Sequence, residues 1–216
     1  MLQYITNTDC TRPVTEQIKA VVAGGCKWIQ IRMKEASDNE IRNVVGEIKR
    51  LCAQNDVLIV LDDRVELAKE LELSGVHLGK EDMAPSKARM ELGPSAIIGV
   101  TANTFDDIQR VRALDIDYIG MGPFTQTSTK RRLAPILGVE GIRSLCSEME
   151  EQQIEIARVA VGGIKLDDVD ALMQAGVNGV AVSGAIAFAE DMEKETRRFL
   201  EKLSPYQPSA SDAVGK

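Results

Sequence analysis

The sequence is poor in aromatic residues, has no excess of positive charge and contains no long apolar run. Phe, Trp and Tyr make up 4% of the 216 residues, so the core must be built mainly from aliphatic side chains. The formal net charge of −7 argues against broad nucleic-acid binding, because phosphate backbones repel an acidic chain. No segment approaches about 18 consecutive apolar residues, and the first ten residues lack a basic region followed by an apolar one. We therefore expect neither a membrane span nor export.

The four cysteines are scattered, and none belongs to a C-x-x-C pair: Cys10, Cys26, Cys52 and Cys146. This pattern indicates neither a zinc site nor a disulfide framework, and it fits a cytoplasmic protein. The chain length suits one domain with a full core. The last stretch is rich in Ser, Pro and Ala and has no periodicity. We predict one domain over residues 1–203 and a flexible C-terminal tail over residues 204–216.

Eight short apolar runs of the kind that forms buried strands recur along the chain. Longer segments with helical spacing separate them, such as residues 40–54, where apolar side chains fall on one face. The apolar runs cover residues 2–6, 28–33, 57–62, 75–79, 97–102, 118–122, 157–163 and 179–184.

Alternation of strand and helix requires crossover connections, which produce a parallel sheet. Eight such units in about 200 residues match a single α/β domain of the (β/α)8 (TIM) barrel type. A doubly wound open sheet is the alternative, but no G-x-G-x-x-G follows the first strand. In a barrel, ligands bind at the carboxyl ends of the strands, and polar residues follow each predicted strand at that point.

Gln30, Arg32 and Lys34 alternate along the second predicted strand, so their side chains should point to one face, the barrel interior. Long polar side chains inside a barrel are costly unless they meet a ligand or each other. They form either an internal ion-pair layer or a ligand site, and Lys34, closest to the mouth, is the better ligand candidate.

Three carboxylates follow two neighbouring strands, at Asp62, Asp63 and Asp82. Mg²⁺ commonly takes one or two carboxylates together with substrate phosphates. An Asp could instead cap the helix that begins near residue 64. We expect one of these residues to act as the cap and at least one to bind metal.

Two glycine turns end the last two strands, at residues 162–164 and 183–186. Barrels commonly hold a phosphate on backbone N–H groups at these two loops, and glycine lets the backbone approach closely. The turns, including Gly162 and Gly163, therefore predict a phosphate site.

The segment GPFTQTSTKRRLAP, residues 122–135, follows the sixth strand and is dense in hydroxyl groups and cations. Thr125, Thr127, Ser128 and Thr129 supply hydroxyl donors and Lys130 a compact charge, a suitable set for a second, more highly charged phosphate group. The alternative is a solvated loop, for which Arg131 and Arg132 are natural.

Taken together, these motifs resemble those of the thiamine-phosphate synthase (pyrophosphorylase) family over about residues 2–200. QIRMK is similar to the family's Q-x-R-x-K, LDDRVELA to N-D-x-x-x-x-A, GVHLGKED to H-x-G-Q-x-D and GPFTQTSTK to G-P-x-x-x-T-x-T-K, while VGGI and VSGAI resemble its last two loops. The resemblance implies a transferase. It would join 4-amino-2-methyl-5-hydroxymethylpyrimidine diphosphate to 4-methyl-5-(2-phosphooxyethyl)thiazole with Mg²⁺, releasing diphosphate and forming thiamine phosphate.

The resemblance also implies roles for individual residues. The pyrimidine diphosphate would contact Gln30, Lys34, Asp62, Thr101 and Lys130, of which Lys34, Thr101 and Lys130 are the catalytic candidates. Asp63 and Asp82 would bind Mg²⁺. The thiazole phosphate would lie against Thr127, Thr129, Gly162, Val182 and Ser183. Arg32 and Gly163 complete the set of expected substrate-binding residues.

Two positions depart from the family pattern, which has Asn where this chain has Asp62 and usually Gln where it has Lys80. Because Lys80 could offset the added charge, we predict an Asp62–Lys80 interaction. The single histidine, His77, falls within a strand, and we interpret it as structural.

Two other functions stay open at this point. A thiazole tautomerase on the same barrel should carry a catalytic His after the fifth strand, where TANT has none. A catalytically silent sensor of thiamine precursors should lack the metal carboxylates, which are present. The expected partners are small-molecule substrates and, as a possibility, further copies of the chain, with no nucleic acid and no membrane.

Overall fold

The computed structural model describes residues 1–126 and 135–207. Strands and helices alternate along these residues, as the spacing of apolar runs predicts. The strands are Leu2–Ile5 (β1), Trp28–Ile31 (β2), Leu58–Asp62 (β3), Gly75–Leu78 (β4), Ile97–Ala102 (β5), Tyr118–Met121 (β6), Ala157–Val161 (β7) and Gly179–Val182 (β8).

The α-helices connect successive strands and follow the last one. They are Val14–Ala23 (α1), Asp38–Gln54 (α2), Val65–Glu70 (α3), Pro85–Leu92 (α4), Phe105–Val111 (α5), Gly138–Glu151 (α6), Val169–Gln174 (α7), Gly184–Ala187 (α8) and Met192–Leu203 (α9). Short 3₁₀ helices cover Leu166–Asp168 and Ser204–Tyr206. None of the helices within the described ranges is both long and apolar enough to cross a membrane.

Every strand pairs in parallel with its sequence neighbour, and β8 closes the sheet onto β1 through the pair Leu2 and Val180. The predicted (β/α)8 barrel is therefore confirmed. Closure leaves no free sheet edge, and the carboxyl ends of all eight strands open on the same side.

Alternating side chains divide the apolar residues into two cores. The larger core lies between the sheet and the helices, and it includes Tyr4, Ile29 and Ile31. A smaller cluster occupies the barrel interior and consists of Ile5, Trp28, Tyr118, Val159 and Ala181. This inner cluster contains the single tryptophan and one of the three tyrosines of the chain, and it forms the floor beneath the open carboxyl end of the barrel.

The helix α2 shows how the sequence determines an element. Ser37 and Glu40 form a capping box, in which the Ser37 hydroxyl accepts from the Glu40 N–H and the Glu40 carboxylate accepts from the Ser37 N–H. Ile41, Val45 and Ile48, at helical spacing, are buried against the barrel.

Two predicted details of the fold are wrong. The N-cap of α3 is Arg64, without a side-chain hydrogen bond, so neither Asp62 nor Asp63 caps that helix. The predicted tail also begins too early, because residues 204–206 form a 3₁₀ helix and the Tyr206 hydroxyl donates to Asp170 at 3.0 Å. The remainder of the predicted tail, from residue 208, lies outside the described residues.

Candidate active site

A cavity of about 400 Å³ opens at the carboxyl ends of the strands. Every strand of the barrel contributes to its wall, which mixes amide, hydroxyl and charged groups with apolar floor residues. Of the residues that the sequence predicts for substrate binding, the lining includes Gln30, Arg32, Asp62, Thr101, Gly162, Gly163 and Ser183. Thr127, Thr129 and Lys130, together with Ser128, Arg131 and Arg132, lie outside the described residues.

A charged cluster stands at the ends of β2 and β3. The Lys34 ammonium lies 3.1 Å from Asp62 Oδ2 and 3.7 Å from Asp63 Oδ2, and Arg32 Nε lies 3.7 Å from Asp62 Oδ2. Burial disfavours the ammonium, but the carboxylates of Asp62, Asp82 and Asp63 outweigh burial and raise the pKa of Lys34. Lys34 is therefore held cationic. Of the two alternatives for the β2 end, the structure shows the ion pairs of Arg32 and Lys34 with Asp62, and a ligand contact at these residues stays a prediction.

Asp63 and Asp82 form a contacting pair of carboxylates. Burial and the neighbouring Asp82 raise the pKa of Asp63, as expected for two like charges close together. Asp63 has φ of +74°, in the left-handed region that residues other than glycine seldom adopt, and Asp82 Oδ2 is held in place by the Gly79 N–H at 2.6 Å.

The pair fits a hard divalent cation. Two carboxylates leave the remaining positions around Mg²⁺ to water and to substrate phosphate oxygens. A site made wholly of protein ligands would need more donors, and no group of three or more His, Cys, Asp or Glu side chains within residues 1–126 and 135–207 could hold a metal.

The predicted Asp62–Lys80 interaction is wrong. The Lys80 ammonium instead lies 2.5 Å from Asp107 Oδ2, at the start of α5. Asp107 also accepts from the N–H groups of Asn103 and Thr104 at 3.0 and 3.1 Å. Burial opposes the charge of this carboxylate, but the Lys80 contact and these hydrogen bonds prevail and lower the pKa of Asp107. Asp62 faces the cations of the β2 end, whereas Lys80 leaves β4 in the direction of β5.

The two glycine turns lie side by side at the cavity. Gly162 and Gly163 have φ of +102° and +72°, and a Cβ at Gly163 would lie 2.4 Å from Thr125 Cγ2. Both positions therefore require glycine. The Thr125 N–H donates to the Gly162 carbonyl at 3.0 Å, which fixes the start of the 122–135 segment beside this turn. Ser183 Oγ accepts from the Asn7 amide at 3.1 Å.

The side chain of Val182 does not face the cavity. It is buried in the core between the sheet and the helices, because Ala181 and Ser183 take the inward positions of β8. The expected contact of Val182 with a phosphate can therefore involve only its backbone.

His77, interpreted from the sequence as structural, is part of the cavity wall. Its Nδ1 lies 2.9 Å from the Tyr118 hydroxyl and its Nε2 lies 3.0 Å from Thr101 Oγ1. Sequence analysis also missed Gln3, Asn7, Tyr118, Lys165 and Phe188 as lining residues. Period-two alternation along β1 could have identified Gln3 and Asn7, which share a face with Ile5.

Eight parallel strands with a cavity of mixed polar and apolar lining at their carboxyl ends, and two glycine turns in its wall, define a (β/α)8 barrel with a candidate site for a small molecule. The family model described as thiamine monophosphate synthase matches residues 2–186, which include all eight strands. The chain belongs to this family, which confirms the resemblance drawn from its motifs.

Individual relatives agree with this assignment. The chain is 49% identical over 199 residues to a thiamine-phosphate synthase of Bacteroides fragilis, covering 92% of this chain and 98% of the relative. It is 32% identical over 203 residues to one of Pyrococcus abyssi, covering 93% and 95%. The solved structure of a thiamine phosphate pyrophosphorylase from Pyrococcus furiosus superposes with a TM-score of 0.84 at 29% identity, covering 96% of both chains.

Proposed function

We propose that the chain is a thiamine-phosphate synthase, a transferase that joins 4-amino-2-methyl-5-hydroxymethylpyrimidine diphosphate to 4-methyl-5-(2-phosphooxyethyl)thiazole and releases diphosphate. The observation that carries this proposal is the 49% identity to the Bacteroides fragilis enzyme across 92% of the chain. The cavity supports it with two sets of groups suited to anions, one at the ends of β2 to β4 and one at the ends of β7 and β8.

The reaction needs no protein nucleophile. The bond between the pyrimidine CH₂ and the diphosphate oxygen breaks, and its electron pair leaves with the diphosphate. The lone pair of the thiazole nitrogen forms the new C–N bond. The task of the chain is therefore to hold two anions with their reacting atoms in line and to neutralise charge on the departing group.

The diphosphate belongs at the charged cluster. Lys34 presents a cation there, Thr101 a hydroxyl group, and Gln30 and Asp62 complete the wall. Asp63 and Asp82 would hold Mg²⁺, which when bound supplies further charge neutralisation to the leaving group. We assign Lys130, with Thr127 and Thr129, to the ligand by the motif alone.

The thiazole phosphate belongs at the glycine turns. Gly162 and Gly163 can direct backbone N–H groups at a phosphate because no side chain obstructs the approach. Ser183, at the end of the neighbouring strand β8, adds a hydroxyl group beside them. This arrangement separates the two anions while keeping both at one mouth.

Incubation of the purified protein with both precursors and Mg²⁺ tests the proposal. Thiamine phosphate and diphosphate should appear in equal amounts and neither should form when either precursor or the metal is omitted. Isomerisation of the thiazole compound alone would indicate a tautomerase, a role for which residues 101–104 offer no histidine. Binding without turnover would indicate a sensor, and either result would refute a synthase.

A further inference from the structure

A row of three residues crosses three neighbouring strands inside the barrel. His77 of β4 pairs with Gly99 of β5, and Gly99 pairs with Tyr118 of β6. A Cβ at Gly99 would lie 2.0 Å from Cζ of Tyr118, so only glycine lets the phenol ring cross β5 and reach His77. The missing side chain at Gly99 therefore leaves the space in which Tyr118 and His77 contact each other.

The meeting point is enclosed and rigid. Tyr118 is 3% exposed, and its ring packs edge-on against Trp28 with centroids 4.7 Å apart. A Cβ at Gly120 would lie 3.0 Å from Cε1 of His77, so this second glycine gives the imidazole its space. Neither ring can turn away without disturbing the barrel floor.

Hydrogen bonds link these rings from the floor to the cavity. Gln3 Nε2 donates to the Tyr118 oxygen at 3.2 Å, and that oxygen lies 2.9 Å from His77 Nδ1. His77 Nε2 lies 3.0 Å from Thr101 Oγ1, which faces the ligand space. Thr101 is therefore the end of a continuous chain of polar groups.

The number of hydrogen atoms available to these polar groups determines which group donates and which accepts in each hydrogen bond. A phenol has one hydrogen to donate and two lone pairs to accept with. Burial raises the pKa of Tyr118 and keeps it protonated, and Gln3 Nε2 already donates to its oxygen. His77 Nδ1 also lies at hydrogen-bond distance from that oxygen, so the buried phenol finds an acceptor for its own hydrogen at His77 Nδ1.

The consequence continues through the imidazole ring. A neutral His77 that accepts at Nδ1 carries its hydrogen on Nε2, and Nε2 can then only donate to Thr101 Oγ1. The hydroxyl hydrogen of Thr101 is thereby free to point into the cavity.

We propose that Tyr118 and His77 are positioning residues that make the Thr101 hydroxyl a committed hydrogen-bond donor toward the diphosphate substrate. That the diphosphate accepts this hydrogen bond rests on the proposed function. The direction of the hydrogen bonds from Tyr118 through His77 to Thr101 does not. A donor fixed before the reaction stabilises the charge that grows on the leaving oxygen without reorganisation.

The direction can be measured without substrate, because the chain contains one histidine and its imidazole signals need no assignment. We expect ¹⁵N–¹H correlation spectra, recorded well above the usual imidazole pKa of about 6.5, to show the Nε2–H tautomer. Tyr118→Phe should convert this to a mixture of tautomers. An Nδ1–H tautomer in the wild type, or an unchanged spectrum in the variant, would overturn the proposal.

The effect on catalysis is tested by a double-mutant cycle with Thr101. Tyr118→Phe should lower kcat by roughly tenfold, with little change in the KM for either substrate. A loss of this size is common when a group that orients a substrate-contacting residue is removed. In a Thr101→Val background the same change should have almost no further effect, because it acts through the missing hydroxyl. An equal loss in both backgrounds would show a merely structural role.

Tyr4→Phe provides a matched control. Tyr4 is a second fully buried tyrosine whose hydroxyl donates within the protein, to Gln17 at 2.7 Å, but it lies in the outer core. The Tyr4→Phe variant should be less stable than the wild type, with an unchanged kcat. If the protein made no thiamine phosphate at all, the proposed function would fail, and the imidazole spectrum would still decide the direction of the chain.

Discussion

At the scale of residues, Lys165 lies beside the backbone groups that we propose to hold the thiazole phosphate. It lines the cavity together with Gly162, Gly163 and Ser183, and within the described part of the chain its ammonium forms no ion pair. Backbone N–H groups bind a phosphate through directional hydrogen bonds, whereas an unpaired ammonium group adds electrostatic attraction to the two negative charges of a phosphate dianion. Sequence analysis did not select this residue, since one lysine after a glycine turn is also typical of a solvated loop.

We expect Lys165→Ala to raise the KM for the thiazole phosphate by roughly tenfold, equivalent to about 1.4 kcal/mol, because the substrate phosphate loses a cation. The KM for the pyrimidine diphosphate should stay the same. Steady-state kinetics with each substrate varied in turn provides the measurement.

Lys27→Ala controls for the change in net charge, because Lys27 precedes β2 and so lies at the opposite end of the barrel. The unphosphorylated thiazole alcohol gives a second control, and Lys165→Ala should not affect its use. A similar loss with the alcohol would contradict a contact between Lys165 and the phosphate.

At the scale of elements, the contacts at the start of α5, near the carboxyl ends of the strands, contribute to the stability of the barrel. Thr104 and Asp107 form a capping box, and Lys80 from the β4 loop completes it with an ion pair. The capping box is readable from the sequence spacing of Thr104 and Asp107. The Lys80 contact is not, because it depends on how far each loop reaches around the closed sheet.

Replacing Asp107 with Ala should lower the free energy of unfolding by about 1–2 kcal/mol at neutral pH, because the helix loses its cap and Lys80 its partner. The pKa of Asp107 is lowered in the folded state, so its charge contributes stability above the usual Asp pKa of about 3.9. That contribution is lost as the pH falls through the lower, folded value.

Urea denaturation at neutral pH and near pH 3 measures both effects, and the difference between wild type and Asp107→Ala should shrink in acid. Asp106→Ala is the matched control, since Asp106 is exposed in the same turn. A difference that stays constant with pH would contradict a charged cap.

Some features of the strands and of the contacts between them can be predicted from the sequence, and others cannot. All eight strands follow from short apolar runs at regular intervals, and closure follows from their number and their strict alternation with helices. The inward side chains of β2 follow from period two, and the same rule applied to β8 would have placed Val182 in the outer core. Contacts such as His77 with Tyr118 could not be predicted, because they depend on a glycine in the strand between them.

For the whole molecule, the barrel joins carboxylates from two loops that are distant in sequence. Asp63 and Asp82 contact each other although like charges repel, and the burial of Asp63 adds to that cost. A bound divalent cation would turn this repulsion into attraction and stabilise the folded state in proportion to its occupancy.

We therefore expect Mg²⁺ to raise the Tm of the wild type, and Asp82→Asn to weaken Mg²⁺ binding by at least about tenfold. Without metal, Asp82→Asn should be no less stable than the wild type, because it removes a like charge while keeping an acceptor for the Gly79 N–H. Thermal melts over a range of Mg²⁺ concentrations measure both. An equal Mg²⁺-induced shift in the variant would contradict a metal site at this pair.

The most direct test of two anion sites at one mouth is a crystal structure of the protein with thiamine phosphate, diphosphate and Mg²⁺ bound. We predict the metal between Asp63 and Asp82, the diphosphate against Lys34 and Thr101, and the phosphate of the product on the turns at Gly162 and Ser183. A structure with either anion bound away from the carboxyl ends of the strands would contradict this account.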